Sequence, residues 1–160
     1  MQKIILNLWY NTQAEEAASF YISLFQNSRI NRITRYRASG AEVSGMPEGS
    51  VLSVEFVLDG QEYVAINGGP AFKLTSAASL MVSCDTQEEI DRLWGAFIKE
   101  GEALDCGWLT DKYGLTWQIV STALNSMLAD PDPDRVERVN KAMFGMQKLD
   151  LAALEAAYNG

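Results

Sequence analysis

The sequence predicts an α+β fold made of two tandem modules, each running strand, helix and then three strands. The order of strand-type and helix-type hydrophobic patterns occurs twice along the chain. The starts of the two helices also share letters, since Thr12-Gln13-Ala14-Glu15-Glu16 precedes Thr86-Gln87-Glu88-Glu89 by one module. A repeat of this kind indicates an internal duplication.

Module one is assigned to residues 1–70 of a single domain that spans 1–160. A capping box at Thr12 and Glu15 predicts the start of its helix. Residues 38–50 are rich in Gly, Ser and Pro, which predicts a loop. The predicted elements are a strand at 4–10, a helix at 12–26, a strand at 29–37, and a hairpin of 51–58 and 61–67.

Module two is assigned to residues 77–122, and a helical tail to 123–160. Asp85 and Glu88 predict a second capping box. The predicted elements are strands at 79–84, 102–104, 107–111 and 115–120, a helix at 85–98, and tail helices at 123–128, 134–144 and 150–158. We expect the tail to pack on the domain or on a partner subunit.

The composition narrows the classes of function. The 160 residues are 48% hydrophobic, and 21 acidic against 13 basic residues give a net charge of -8. A negative surface repels phosphate backbones, which argues against nucleic-acid binding. No apolar run approaches the length of about 20 residues that spans a bilayer. We therefore expect no membrane partner and a cytoplasmic location, with the N-terminus interpreted as a strand and not as a signal peptide.

The reactive residue types are scarce. The chain has no His, which rules out a Ser-His-Asp or Cys-His mechanism. Its two cysteines, Cys84 and Cys106, form no CxxC pattern and are interpreted as buried thiols. A cluster of arginines could hold an anion, but their spacing on a strand favours a solvated face or an edge guard: Arg29, Arg32, Arg35 and Arg37.

Three segments carry a family resemblance: Phe20–Ile30, Asn67–Lys73 and Cys106–Val120. They resemble segments of PhnB-like proteins in the glyoxalase/bleomycin resistance/dioxygenase (vicinal oxygen chelate) superfamily, in the branch often labelled 3-demethylubiquinone-9 3-methyltransferase. The resemblance implies eight strands in curled sheets around a cup, helices outside, and a homodimer. The methyltransferase label is not supported by the residues, because Gly68-Gly69-Pro70 leads into no helix pattern.

The resemblance also implies four cup-facing positions for a divalent metal, on the first and last strands of each module. These positions fall on Asn7, Asn67 (with Ala65 as the alternative), Ser79 and Gln118. Neutral amide and hydroxyl groups hold divalent ions poorly. We therefore expect no cofactor, and a divalent metal only as the less favoured alternative.

What the sequence predicts at the cup is a site for a small, partly apolar ligand, lined by Asn7, Trp9, Tyr63, Asn67, Ser79, Trp108 and Gln118. Three of these residues also have structural interpretations, since Asn7 and Gln118 could bond each other across the cup and Asn67 could form a turn. The favoured function is a metal-free dimer that binds or sequesters a small molecule.

Three alternatives remain open beside that function. The first is a metal-dependent isomerase, lyase or dioxygenase, and the second is an interaction module with a vestigial cup. The third is a metal-free enzyme with a carboxylate base, for which the candidates are Glu55, Glu62, Asp105 and Asp111. Catalysis is the less favoured interpretation.

Overall fold

The computed structural model describes residues 2–160, which fold into eight strands and six helices and divide into two compact units, with the chain boundary between Leu74 and Thr75. The first unit contains β1 (Leu6–Tyr10), α1 (Ala14–Leu24), β2 (Arg29–Arg35), α2 (Ala38–Ser44), β3 (Val51–Leu58) and β4 (Gln61–Asn67). The second contains β5 (Ser79–Cys84), α3 (Gln87–Ile98), β6 (Glu102–Ala103), β7 (Trp108–Thr110), β8 (Thr116–Ser121), α4 (Thr122–Leu128), α5 (Pro133–Phe144) and α6 (Leu151–Asn159).

The two units have the same sheet topology. Their strand orders are β1-β4-β3-β2 and β5-β8-β7-β6, so the first strand of each unit lies beside the last. That pair is parallel in both units, and the remaining pairs are antiparallel. The predicted α+β class and tandem βαβββ modules are confirmed. Within residues 2–160, no helix is both long and apolar enough to cross a bilayer.

Helix α1 begins against a side chain from the far end of its own module. The Oδ1 atom of Asn67 accepts the backbone N–H of Ala14 at 2.8 Å, and its Nδ2 atom donates to the carbonyl of Val51 at 3.1 Å. The hydroxyl of Tyr36 donates to the backbone carbonyl of Asn67 at 2.6 Å. This buried amide therefore joins the helix start to two strands.

The helix starts differ from the predicted capping boxes. At α1 the preceding residue, Gln13, provides no side-chain cap, and Asn67 replaces the box expected from Thr12. At α3 the box is shifted by one residue from the prediction. Thr86 accepts the N–H of Glu89 at 3.2 Å, and the Glu89 carboxylate accepts the N–H of Asp85 at 3.0 Å.

The loop predicted over 38–50 was partly wrong, because residues 38–44 form α2. This helix buries no side chain and ends at Gly45, which takes the left-handed conformation with φ +74°. The small residues that suggested a loop also permit one short helix when a glycine can end it.

The segment after β4 is shaped by one tryptophan. The indole N–H of Trp9 donates to the carbonyl of Gly69 at 2.9 Å, and the ring meets Phe72 edge-on at 4.9 Å between centroids. A Cβ on Gly68 would lie 2.0 Å from an indole carbon of Trp9. Only glycine fits at that position while Trp9 keeps its place.

The Asp111 carboxylate organises the turn before β8. Its Oδ1 atom accepts the N–H groups of Tyr113 and Leu115 at 2.9 and 3.0 Å, and its Oδ2 atom accepts the indole N–H of Trp117 at 2.9 Å. The residue is only 4% exposed. This carboxylate is therefore committed to the turn and to the core tryptophan, and is not directed toward solvent.

The tail packs on the second unit of its own chain. The side chain of Gln87 donates to the carbonyl of Leu149 at 3.0 Å and accepts the N–H of Leu151 at 2.8 Å, which joins α3 to the chain before α6. Beneath these bonds the tail helices share a buried cluster with β8, which consists of Val120, Leu124, Met127, Val139, Leu149 and Leu154.

We predict that Asn67→Ala lowers the free energy of unfolding by about 3 kcal/mol, because it leaves the N–H of Ala14 and the carbonyl of Val51 buried without partners. Urea unfolding followed by tryptophan fluorescence measures the change. Asn7→Ala is the matched control, since Asn7 is exposed, and it should cost less than about 0.5 kcal/mol. Equal effects of the two substitutions would contradict the structural role of Asn67.

Candidate functional site

The two faces of the first sheet carry different residues from those predicted. We use cup face for the side of each sheet that does not pack against α1 or α3. Strand pairing aligns Leu8 with Ala65 and Tyr10 with Asn67, and Leu8 and Tyr10 are buried. Paired residues point to the same side of a sheet, so Asn67 faces α1. Placing Asn67 on the cup face was wrong.

Tyr63 lies on the same side as Asn67, because β4 alternates and Tyr63 pairs with Phe56. The two rings stack at 5.5 Å, and burial raises the pKa of the Tyr63 hydroxyl. Asn7 and Trp9 do lie on the cup face, where Asn7 is exposed and Trp9 is half-buried. The first unit therefore separates Asn7 and Trp9 from Tyr63 and Asn67.

The cup face of the first unit also carries an ion pair of the arginine cluster. Glu55 pairs with Val64 across the sheet, and its carboxylate accepts the Nε–H of Arg32 at 3.0 Å. This pairing raises the pKa of the Arg32 guanidinium. Arg35 donates to the carbonyl of Gly49 at 3.1 Å from the edge strand β2. These contacts agree with the interpretation of the cluster as a solvated edge.

The second unit brings three predicted residues together. Gln118 lies between Met81 and Trp108 in the strand register, and its Nε2 atom donates to the hydroxyl of Ser79 at 2.8 Å. Cys84, on the alternate set of β5 residues, is fully buried, which places Ser79 and Met81 on the cup face. Ser79, Trp108 and Gln118 therefore share one face of the second sheet.

A cavity of about 530 Å³ opens beside Gln118 and Trp108. We call it the tail pocket, because one wall comes from the cup face and the other from the tail helices. Its floor and sheet wall are mainly apolar, and Phe144 on the tail is 69% exposed. The lining residues are Met81, Leu104, Asp105, Cys106, Trp108, Gln118, Val120, Leu124, Asn125, Leu128, Met143 and Phe144.

A strained turn at residues 105–107 supplies the end of the tail pocket. Cys106 has φ +59°, and a non-glycine residue rarely takes this left-handed conformation. Two backbone bonds from the tail hold the turn, with the N–H of Cys106 donating to Met146 at 2.8 Å and that of Gly107 to Gln147 at 2.7 Å. The tail therefore fixes the turn that presents Asp105 and Cys106 to the pocket.

The predicted metal positions do not fit a divalent ion. In the first unit, Asn7 and Asn67 lie on opposite faces of the sheet, and Asn67 Oδ1 is already hydrogen-bonded to Ala14. In the second unit, Ser79 and Gln118 bond each other and carry no charge. Across the described residues, no group of three or more His, Cys, Asp or Glu side chains is arranged to hold a metal.

Neither cysteine has the character of an activated nucleophile. Burial is the main cause that raises the pKa of the Cys84 thiol to about 12. Burial, followed by the nearby carboxylate of Asp105, raises the pKa of the Cys106 thiol. A nucleophilic cysteine needs the opposite shift, toward the thiolate at neutral pH.

The candidate carboxylate bases lie in four different settings. Glu55 is paired with Arg32, Glu62 accepts the backbone N–H of Gln2 at 3.0 Å, and Asp111 is buried in its turn. Asp105 alone among the four lines the tail pocket. One carboxylate without a neighbouring acid or base gives no acid-base pair in this cavity.

The second wall of the tail pocket was not predicted from the sequence. Leu124, Leu128 and Met143 were visible as apolar positions of the tail helices, but the packing partner of those helices was left open. The nearest sequence signal is Gly107, because a glycine permits the left-handed turn that the tail supports.

Comparisons with known proteins agree with this architecture. Residues 2–120 match the model of the 3-demethylubiquinone-9 3-methyltransferase family. The PhnB protein from Bacillus cereus is 38% identical, with a TM-score of 0.68 over 76% of this chain and 100% of that one. A protein from Pseudomonas aeruginosa has the same fold at 18% identity, with a TM-score of 0.60 over 76% of this chain and 98% of its own. No curated protein matches the chain.

The family model covers both sheets and ends at residue 120, before the tail. The predicted family resemblance is confirmed by this match and by the Bacillus cereus structure. The chain belongs to the 3-demethylubiquinone-9 3-methyltransferase family and is a PhnB-like protein of the glyoxalase fold.

Proposed function

We propose that this protein binds or sequesters a small, partly apolar molecule without a metal. The observation that carries the proposal is the tail pocket, a cavity of about 530 Å³ with Trp108 and Gln118 on its sheet wall. Ligand sites in proteins have volumes of about 300 to 1,000 Å³ and combine mostly apolar walls with a few polar groups. The tail pocket fits that description.

The chemistry of the lining supports binding more than catalysis. The pocket has one carboxylate, two amides and a thiol whose pKa is raised, and it has no acid-base pair. A family name containing methyltransferase does not add a reaction, because a fold family can host many activities. The proposed role is therefore capture of a ligand in an open, mainly apolar pocket.

We predict that Asn125→Trp weakens binding of the neutral apolar dye Nile red about tenfold, because the indole fills the pocket mouth. Asn125 is exposed on α4, so the larger side chain does not disturb the core. Fluorescence titration of the full-length protein gives the dissociation constants.

Ser126→Trp is the matched control for that experiment. Ser126 is the next residue of α4, is exposed and does not line the pocket. It should leave the Nile red dissociation constant within about twofold. Loss of binding in both variants, or in neither, would contradict the tail pocket as the binding site.

We predict that metal addition leaves the protein unchanged. Titration with nickel, zinc, manganese and ferrous ions should give dissociation constants weaker than about 0.1 mM, because the predicted positions offer neutral oxygen donors on different faces. Isothermal titration calorimetry and elemental analysis of the purified protein measure binding and retention. Stoichiometric metal held with low-micromolar affinity would overturn the metal-free proposal.

The homodimer that the family resemblance implies is part of the same proposal. Light scattering on the full chain should give twice the mass of one chain. Because the tail is packed within its own unit, replacing the exposed Phe144 by Ser should leave that mass unchanged. A monomeric mass for the unmodified protein would remove the dimer from the proposal.

A further inference from the structure

The charge of the tail pocket comes from a single side chain. Asp105 is the only charged residue that lines it among the described residues, and neither Lys nor Arg does so. Asp105 is exposed, which places its carboxylate at the mouth of the pocket. The protein as a whole has a net charge of -8. An anion would therefore be repelled both at a distance and at the pocket mouth.

The remaining polar groups favour a ligand that donates hydrogen bonds. Gln118 donates from Nε2 to Ser79, which fixes the amide and leaves its Oε1 atom as the acceptor on the sheet wall. No described residue donates to that oxygen. A ligand N–H in the pocket would reach an oriented carbonyl oxygen there.

The walls suit an organic cation more than an inorganic one. Trp108 on the sheet offers an aromatic ring, whose face attracts cations. Met81 and Met143 add polarizable thioethers on opposite sides of the pocket. An inorganic cation would lose its water shell against these side chains and gain too few oxygen ligands in return.

We propose that the tail pocket selects an apolar organic cation with an N–H donor, held by the Asp105 carboxylate, the Gln118 carbonyl oxygen and the apolar tail wall. This inference rests on the proposed binding function and gives it a ligand class. The tail contributes to the selection of the ligand in two ways. It supplies Leu124, Leu128 and Phe144 as one wall, and its backbone bonds to Cys106 and Gly107 hold the turn beside Asp105.

The test compares three aromatic dyes of different charge on the full-length protein at low ionic strength: cationic proflavine with its amino N–H groups, neutral Nile red, and anionic 1-anilinonaphthalene-8-sulfonate. Proflavine should bind about tenfold more tightly than the anionic dye. Asn125→Trp should weaken binding of proflavine and Nile red alike, which places both dyes in the tail pocket.

Asp105→Asn removes the charge without changing the shape of the side chain. It should weaken proflavine about fivefold and leave Nile red within twofold. Glu137→Gln is the matched control, because it removes the same charge from an exposed position of α5 outside the pocket. That variant should leave all three dissociation constants within twofold.

The outcomes separate this inference from the proposed function. If the anionic dye binds as tightly as proflavine, or if Asp105→Asn and Glu137→Gln have equal effects, the cation preference is wrong, while Nile red binding blocked by Asn125→Trp keeps the pocket as a binding site. If none of the three dyes binds, both proposals are overturned. Selective loss of proflavine binding in Asp105→Asn supports the inference.

Discussion

The tail pocket depends on two backbone hydrogen bonds between the tail and the turn at residues 105–107. The N–H groups of Cys106 and Gly107 reach the carbonyls of Met146 and Gln147. The approach is possible because Gly107 has no Cβ, which would lie 2.7 Å from the carbonyl oxygen of Ile119. Its φ of +83° also favours glycine. The tail is therefore bonded to the sheet at Gly107, a position that only glycine fits.

The segments that identify the family are mostly those that hold the fold together. Asn67 starts α1, and Gly68 makes room for the indole of Trp9. Asp111 closes the turn before β8 and bonds the core indole of Trp117. Family membership thus follows from residues with structural tasks. Residues with structural roles specify the fold and do not by themselves specify a reaction.

The sequence predicted the architecture well because each module repeats a clear change of hydrophobic period. Ser79 and Gln118 lie on the cup face because each is on the opposite set of strand positions from a buried residue, Cys84 in β5 and Ile119 in β8, and Trp108 pairs with Gln118. The placement of Asn67 on the cup face was wrong because it rested on the family's ligand positions, where Asn67 is the only possible ligand on the face that it shares with Tyr63 and Ala65. In a strand, a shift of one residue exchanges the two faces, and the bond to Ala14 decides which face is right.

The pocket itself could not be predicted in the same way. Its second wall depends on how α4 and α5 meet the sheet, and amphipathic spacing defines an apolar stripe without naming the surface that covers it. The short helix α2 was missed for a related reason, since Gly and Ser are common to loops and to short helices ended by glycine. Local patterns determine elements, while cavities arise from contacts between distant elements.

The tail helices are synthesised after the sheet that they cover, and this order affects incomplete chains. The residues that form the sheet wall, from Met81 to Val120, leave the ribosome before the helices that cover them. The cover over Trp108 and Leu104 comes from residues between Leu124 and Phe144. A chain that stops between β8 and Phe144 would therefore leave more of the apolar sheet wall in contact with water, which favours aggregation.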